Sequence, residues 1–151
     1  MVFGVDRTRL LWASQNGHIE VVKLLIEKGA SVTVTDEDGW TPLHAASEDG
    51  HIEVVKLLIE EGADTPVAAK NGWTPLHLAS ENGHIEVVRL LIEKGASVTV
   101  TDEYGWAPLL VALENGHIKV AKILIEKGAD TTGCSQGQGD TIAFGIREWT
   151  R

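Results

Sequence analysis

The sequence predicts an all-α solenoid of stacked helix–turn–helix units joined by short β-hairpin loops. Three observations carry that expectation. First, Asn16-Gly17-His18-Ile19-Glu20-Val21-Val22 returns as Asp49-Gly50-His51-Ile52-Glu53-Val54-Val55, again over 82–88 and again over 115–121, always 33 residues on. Gly17 to Glu37 even matches Gly83 to Glu103 at 20 of 21 positions, which chance does not produce. Self-similarity at a fixed period of about 20–50 residues marks a stacked array. Second, Gly39-Trp40-Thr41-Pro42-Leu43-His44 recurs in the same register as Gly72-Trp73-Thr74-Pro75-Leu76-His77 and drifts to Gly105-Trp106-Ala107-Pro108-Leu109-Leu110. Third, a glycine closes each apolar run, at Gly29, Gly62, Gly95 and Gly128.

The elements of one repeat follow in order. Thr41 is an N-cap, and Pro42 sits at the first helical position, where its missing N–H costs nothing. The first helix is short, from Pro42 to about Asp49, and Asp49-Gly50 turns the chain. The second helix runs from about Ile52 to Glu61. Its apolar residues Ile52, Val54, Val55, Leu57, Leu58 and Ile59 form a stripe too broad for one-sided burial, so it packs against neighbours on two sides. Gly62 takes the left-handed position that ends it. In the preceding copy, the stretch from Ala30 to Gly39 is extended and turns at Asp38-Gly39, a hairpin signal.

The helix–turn–helix–hairpin unit with Thr-Pro-Leu-His resembles the ankyrin repeat, over roughly Val5 to Asp130. The register reads as one domain. A degenerate first repeat spans 1–34, full repeats span 35–67, 68–100 and 101–133, and a degenerate cap or tail spans 134–151. At the N-terminus only Thr8, Leu10 and Ala13 keep the register, so the first unit counts as little more than its second half, with Phe3, Leu11 and Trp12 exposed. The second hairpin departs from the pattern, because Ala69 stands where Asp36 and Asp102 stand in its neighbours. In the family that aspartate bonds the hairpin backbone, so local stability is expected to dip there.

Composition narrows the function classes. Lys plus Arg number 13 against 22 Asp plus Glu, a net charge of −9 that repels phosphate backbones and anionic membrane surfaces. Neither nucleic acid nor a membrane is therefore an expected partner. No window approaches a membrane-spanning length of apolar residues. The lone Cys134 cannot form an internal disulfide, which fits a reducing, cytoplasmic setting. It has no base or cationic cluster nearby in sequence to activate it.

Chemistry-bearing patterns are missing as well. There is no nucleophile elbow, phosphate-cradling loop or His-Glu-x-x-His. His18, His51, His84 and His117 lie one repeat apart, and layers of packed helices stand about 8–10 Å from one another. Four such histidines cannot converge on one metal ion. Each instead helps to fix the turn into its second helix. His44 and His77, by the resemblance, join a hydrogen-bond network with the threonine and the next repeat, a network that Ala107 and Leu110 cannot form. The expectation is a non-enzymatic module without cofactor or metal.

In ankyrin arrays the hairpin tips and the first helices line a concave groove, and the resemblance implies the same here. The hairpins contribute Glu37, Asp38 and Trp40, then Lys70, Asn71 and Trp73, then Glu103, Tyr104 and Trp106. The first-helix ends contribute Glu48, Glu81 and Glu114. Five of the eight aromatic residues are tryptophan, and three of those five share one register. A tryptophan ladder is the surface type most enriched at binding hot spots. Its other reading is packing on the adjacent hairpin, and the two are compatible. Lys70 is the only cation in the set, so a protein or peptide, basic in character, is the expected partner. A monomer with some tendency to stack end to end is expected. The alternatives are an engineered or consensus scaffold without a native partner, and a self-assembling structural array.

Overall fold

The computed structural model describes residues 2–131, with side chains described from residue 9. Cys134 and the expected C-terminal cap, with Phe144 and Trp149, lie outside the described residues, as does the Phe3 side chain. Thr41 and Thr74 start their helices as the sequence predicts: each hydroxyl accepts the backbone N–H of the histidine three residues on, with proline at the first helical position. These helices are α3 (Pro42–Glu48) and α5 (Pro75–Glu81). α7 (Pro108–Glu114) begins at Ala107 with no side-chain cap. The second helices of the pairs are α2 (Ile19–Glu27), α4 (Ile52–Glu60), α6 (Ile85–Glu93) and α8 (Ile118–Glu126). All four are followed by a glycine at positive φ.

The first unit differs from expectation. Its first helix is present as α1 (Val2–Gln15), 14 residues long against seven in α3, α5 and α7. It packs on both α2 and α3, so the first layer has two helices like the others. Without the Thr-Pro start signal nothing fixes its beginning, and the helix runs on. Trp12 is exposed, but Leu11 is only half so.

Period becomes packing in the core. Leu10, Leu43, Leu76 and Leu109, one per first helix, are all buried. Leu58, Leu91 and Leu124 repeat the pattern on the second helices. Each such side chain contributes about 1.5–3 kcal/mol by leaving water. Successive first helices lie closer together than successive second helices do. α3, α5 and α7 therefore form the more closely packed, inner side of the stack. Among the described residues there is no strand, and each hairpin is a tight turn closed by two backbone bonds, such as Asp36 N–H to the Trp40 carbonyl at 3.0 Å and Gly39 N–H to the Asp36 carbonyl at 3.2 Å. No described helix is long and apolar enough to cross a membrane.

Three buried hydroxyls share a register. Ser14, Ser47 and Ser80 are fully buried near the ends of α1, α3 and α5, and none has a hydrogen-bond partner. A buried polar group left unpaired costs about 1–3 kcal/mol. The double substitution Ser47→Ala, Ser80→Ala is therefore expected to raise stability, by about 1 kcal/mol per site. Urea unfolding checks it, and a loss of stability would mean that the hydroxyls hold partners in solution.

Candidate functional site

The inner face is built from hydrogen bonds that start at the threonine cap. Thr41 N–H donates to His44 Nδ1 at 3.1 Å, and the Thr41 hydroxyl lies 2.9 Å from the same nitrogen. Nδ1 is thus an acceptor, and the ring proton sits on Nε2. That nitrogen donates to the carbonyl of Trp73 at 2.9 Å. Thr74 and His77 repeat the arrangement, ending on the Trp106 carbonyl at 2.8 Å. The backbone that carries each later tryptophan is thereby anchored by the preceding repeat. Burial lowers both histidine pKa values, and the carbonyl bond only partly offsets it, so both rings are held neutral.

The hairpin tips are fixed by acidic side chains. Asp36 Oδ1 accepts from the N–H groups of Asp38 and Trp40, at 2.9 and 2.8 Å. Asp102 does the same for Tyr104 and Trp106. Ala69 cannot, and Asn71 takes part of the role by accepting Trp73 N–H at 3.0 Å. The tips are also joined to one another. Lys70 N–H donates to the Asp38 carbonyl, and Glu103 N–H to the Asn71 carbonyl.

The three tryptophans lie in one row and are half-buried. Trp40 stacks on His44 with centroids 5.9 Å apart, and Trp73 on His77 at 5.5 Å. Trp73 Nε1 also donates to Asp102 Oδ2 at 2.8 Å, which ties its ring to the next hairpin. The rings therefore hold the stack together and still leave part of their surface in solvent. By the repeat register, the position that Asp102 takes for Trp73 is filled for Trp40 by Ala69. The substitution Ala69→Asp is expected to supply both a hairpin acceptor and a partner for the Trp40 indole. It should stabilise the chain by about 1–2 kcal/mol, read from the denaturant midpoint, and an unchanged midpoint would show that Asn71 already suffices.

The remaining residues border this row. Glu37, Asp38, Lys70, Asn71, Glu103 and Tyr104 are exposed at the tips, with Tyr104 at 74% of its surface. Glu48, Glu81 and Glu114 line up at the ends of α3, α5 and α7. Burial first, and then the neighbouring Asp49 and Glu81, pushes the Glu48 carboxyl up.

Sequence reasoning missed one set of residues. His51 and His84 do more than shape their own turns, because each Nε2 lies 2.8 Å from a carbonyl of the preceding repeat, Gln15 and Glu48 respectively. The glycines before them receive the same rings: a Cβ on Gly17 would meet the His51 ring at 2.5 Å, and one on Gly50 the His84 ring at 2.4 Å.

Comparison with known proteins gives two findings. A family model described as ankyrin repeats (3 copies) matches residues 3–69 and 64–133. A stretch of 38 residues is 55% identical to protein phosphatase 1 regulatory subunit 12A of Mus musculus, and equally to that of Rattus norvegicus. That stretch is 25% of this chain and 4% of either relative, so the match spans only a small part of their length.

Proposed function

The chain belongs to the ankyrin-repeat family, whose repeats are protein-interaction modules, and from that premise we propose that it binds a basic peptide segment along its inner face. The observation that carries this reading is the half-buried row Trp40, Trp73 and Trp106, bordered by Glu48, Glu81 and Glu114 and by the acidic hairpin tips. The aromatic row supplies apolar area at little entropic cost, since neighbouring bonds already fix its backbone and two of its rings. The crowded carboxylates supply charge selection and steering. Glu48 gains a counterion from a lysine or arginine that it lacks in the free protein. No step of bond making or breaking enters this reading.

Peptides selected from an unbiased display library are expected to carry an excess of Lys and Arg. Their affinity should fall at least about tenfold in the triple variant Trp40→Ala, Trp73→Ala, Trp106→Ala, provided that its helical circular dichroism is unchanged. It should also weaken as salt is raised. Selected peptides without a basic excess would overturn the charge assignment. Affinity unchanged in the folded triple variant would move the site off the inner face.

A further inference from the structure

The first two junctions between layers use the same three parts, and the third keeps the histidine and the glycine. The later layer offers a histidine, and the earlier layer offers a glycine and a carbonyl two residues before it. His51 sits over Gly17 and the Gln15 carbonyl, and His84 over Gly50 and the Glu48 carbonyl. The His117 ring sits over Gly83. Among the described residues, two halves of such a junction have no counterpart. In the first described layer His18 has no preceding glycine to sit on, and its ring rests against Trp12 at 5.3 Å. In the last described layer a Cβ on Gly116 would meet no atom of the described residues within 4 Å.

The apolar surface around these halves points the same way. Val54, Val87 and Val120 are buried, while Val21 in the same register is 43% exposed. Ala45, Leu78 and Val111 are buried, while Trp12 in their register is 55% exposed. Val120 and Val111 belong to the last described layer, so what covers these positions elsewhere is the preceding layer. Leu24 joins the exposed set at 52%. At the other end Ile118 is 42% exposed, against the half-buried Ile52 and Ile85. Terminal repeats that face solvent carry polar outer faces. Here α2 has the same sequence as the interior α4, IEVVKLLIE.

We propose that the first-layer face of one copy docks on the last-layer face of a second copy, with His18 seated over Gly116 and directed at the Glu114 carbonyl. The occupant is a second copy because both halves of the contact are present in this one chain and the interface is the one it already forms between its own layers. Charge agrees. Along the second helices the same register reads Glu20, Glu53, Glu86 and Lys119, so a head-to-tail contact sets Lys119 beside Glu20, the opposite-charge pairing that α6 and α8 already make with Glu86 and Lys119, where the first two junctions set glutamate beside glutamate. The contact is heterologous and does not close on itself, so it continues beyond a dimer.

The test is mass against concentration for the full chain, by light scattering and sedimentation velocity from micromolar to millimolar. The average mass is expected to climb from 16.3 kDa past twice that value without a plateau at dimer. Leu24→Lys and Ile118→Lys change exposed side chains, one on each face, and circular dichroism verifies that each variant is folded. Each alone should stay monomeric, and an equimolar mixture should stop at a one-to-one dimer, since each supplies the face that the other lacks. A wild-type chain that stays monomeric over the whole range overturns the proposal, whatever the variants do. So does a closed dimer, or association that either folded variant retains undiminished.

Discussion

Replacing His77 with alanine is expected to cost about 3–4 kcal/mol in denaturant unfolding. The ring is fully buried. Its loss leaves Thr74 N–H without the Nδ1 acceptor and the Trp106 carbonyl without its donor, and it opens a cavity under Trp73. A cost below about 1 kcal/mol would show that water or a shifted neighbour satisfies these groups. The same ring gives a pH signature. His44 and His77 both have folded-state pKa values lowered from the ordinary 6.5, chiefly by burial. Below that value the unfolded chain takes up protons that the fold refuses. Their contribution is thus complete above about pH 6.5 and declines as the pH falls, by up to about 1.4 kcal/mol per pH unit for each ring. Unfolding curves taken between pH 7 and pH 5, above the ordinary carboxylate range, should show the decline, and it should halve in His77→Ala.

Gly50→Ala is expected to be nearly as damaging, at about 2–4 kcal/mol. Two causes act together. The residue holds φ +74, a conformation that side chains rarely adopt, and the new Cβ would stand 2.4 Å from His84 Nδ1. The alanine must therefore both strain its own backbone and displace the His84 ring from the Glu48 carbonyl. The two causes separate in a double-mutant cycle with His84→Ala. The pair should cost clearly less than the sum of its singles, because an absent ring cannot clash. Strict additivity would assign the whole effect to backbone strain.

These two predictions rest on features of unequal visibility in the sequence. Thr41-Pro42 and Thr74-Pro75 announce the starts of α3 and α5, and the glycines announce the ends of the second helices, because caps and breakers act within a turn of the chain. α1 was legible only in part, since it carries neither a Thr-Pro start nor a register-keeping histidine and is held by packing on α2 and α3. The resemblance implied the network around His44. The bond from His84 to the Glu48 carbonyl was not legible, because its partner lies 36 residues back and is a backbone atom with no side-chain identity. For the same reason the tie from Trp73 to Asp102 could not be read from either hairpin alone. At the second hairpin the expected defect was visible in Ala69, whereas its partial repair by Asn71 depends on how the turn is wound. Among the candidate site residues, the sequence sufficed to place the tryptophans in one row and the glutamates at helix ends. It did not reveal that two of the rings would rest on buried histidines.

The junction of histidine, glycine and carbonyl also bears on how such a chain can change in length. Every junction is written in the same residues at the same offsets, so the layers are interchangeable parts. An in-frame excision of Gly50 through Asn82 would leave Asp49 followed directly by Gly83-His84. His84 would then meet Gly17 and the Gln15 carbonyl in place of His51, and no neighbour would need rewriting. Duplication of the same 33 residues would insert a layer on the same terms. Exchange between the near-identical stretches 17–37 and 83–103, which lie two repeats apart, would remove or add two layers in one step. The fold thus tolerates lengthening and shortening far more readily than it tolerates a methyl group on Gly50.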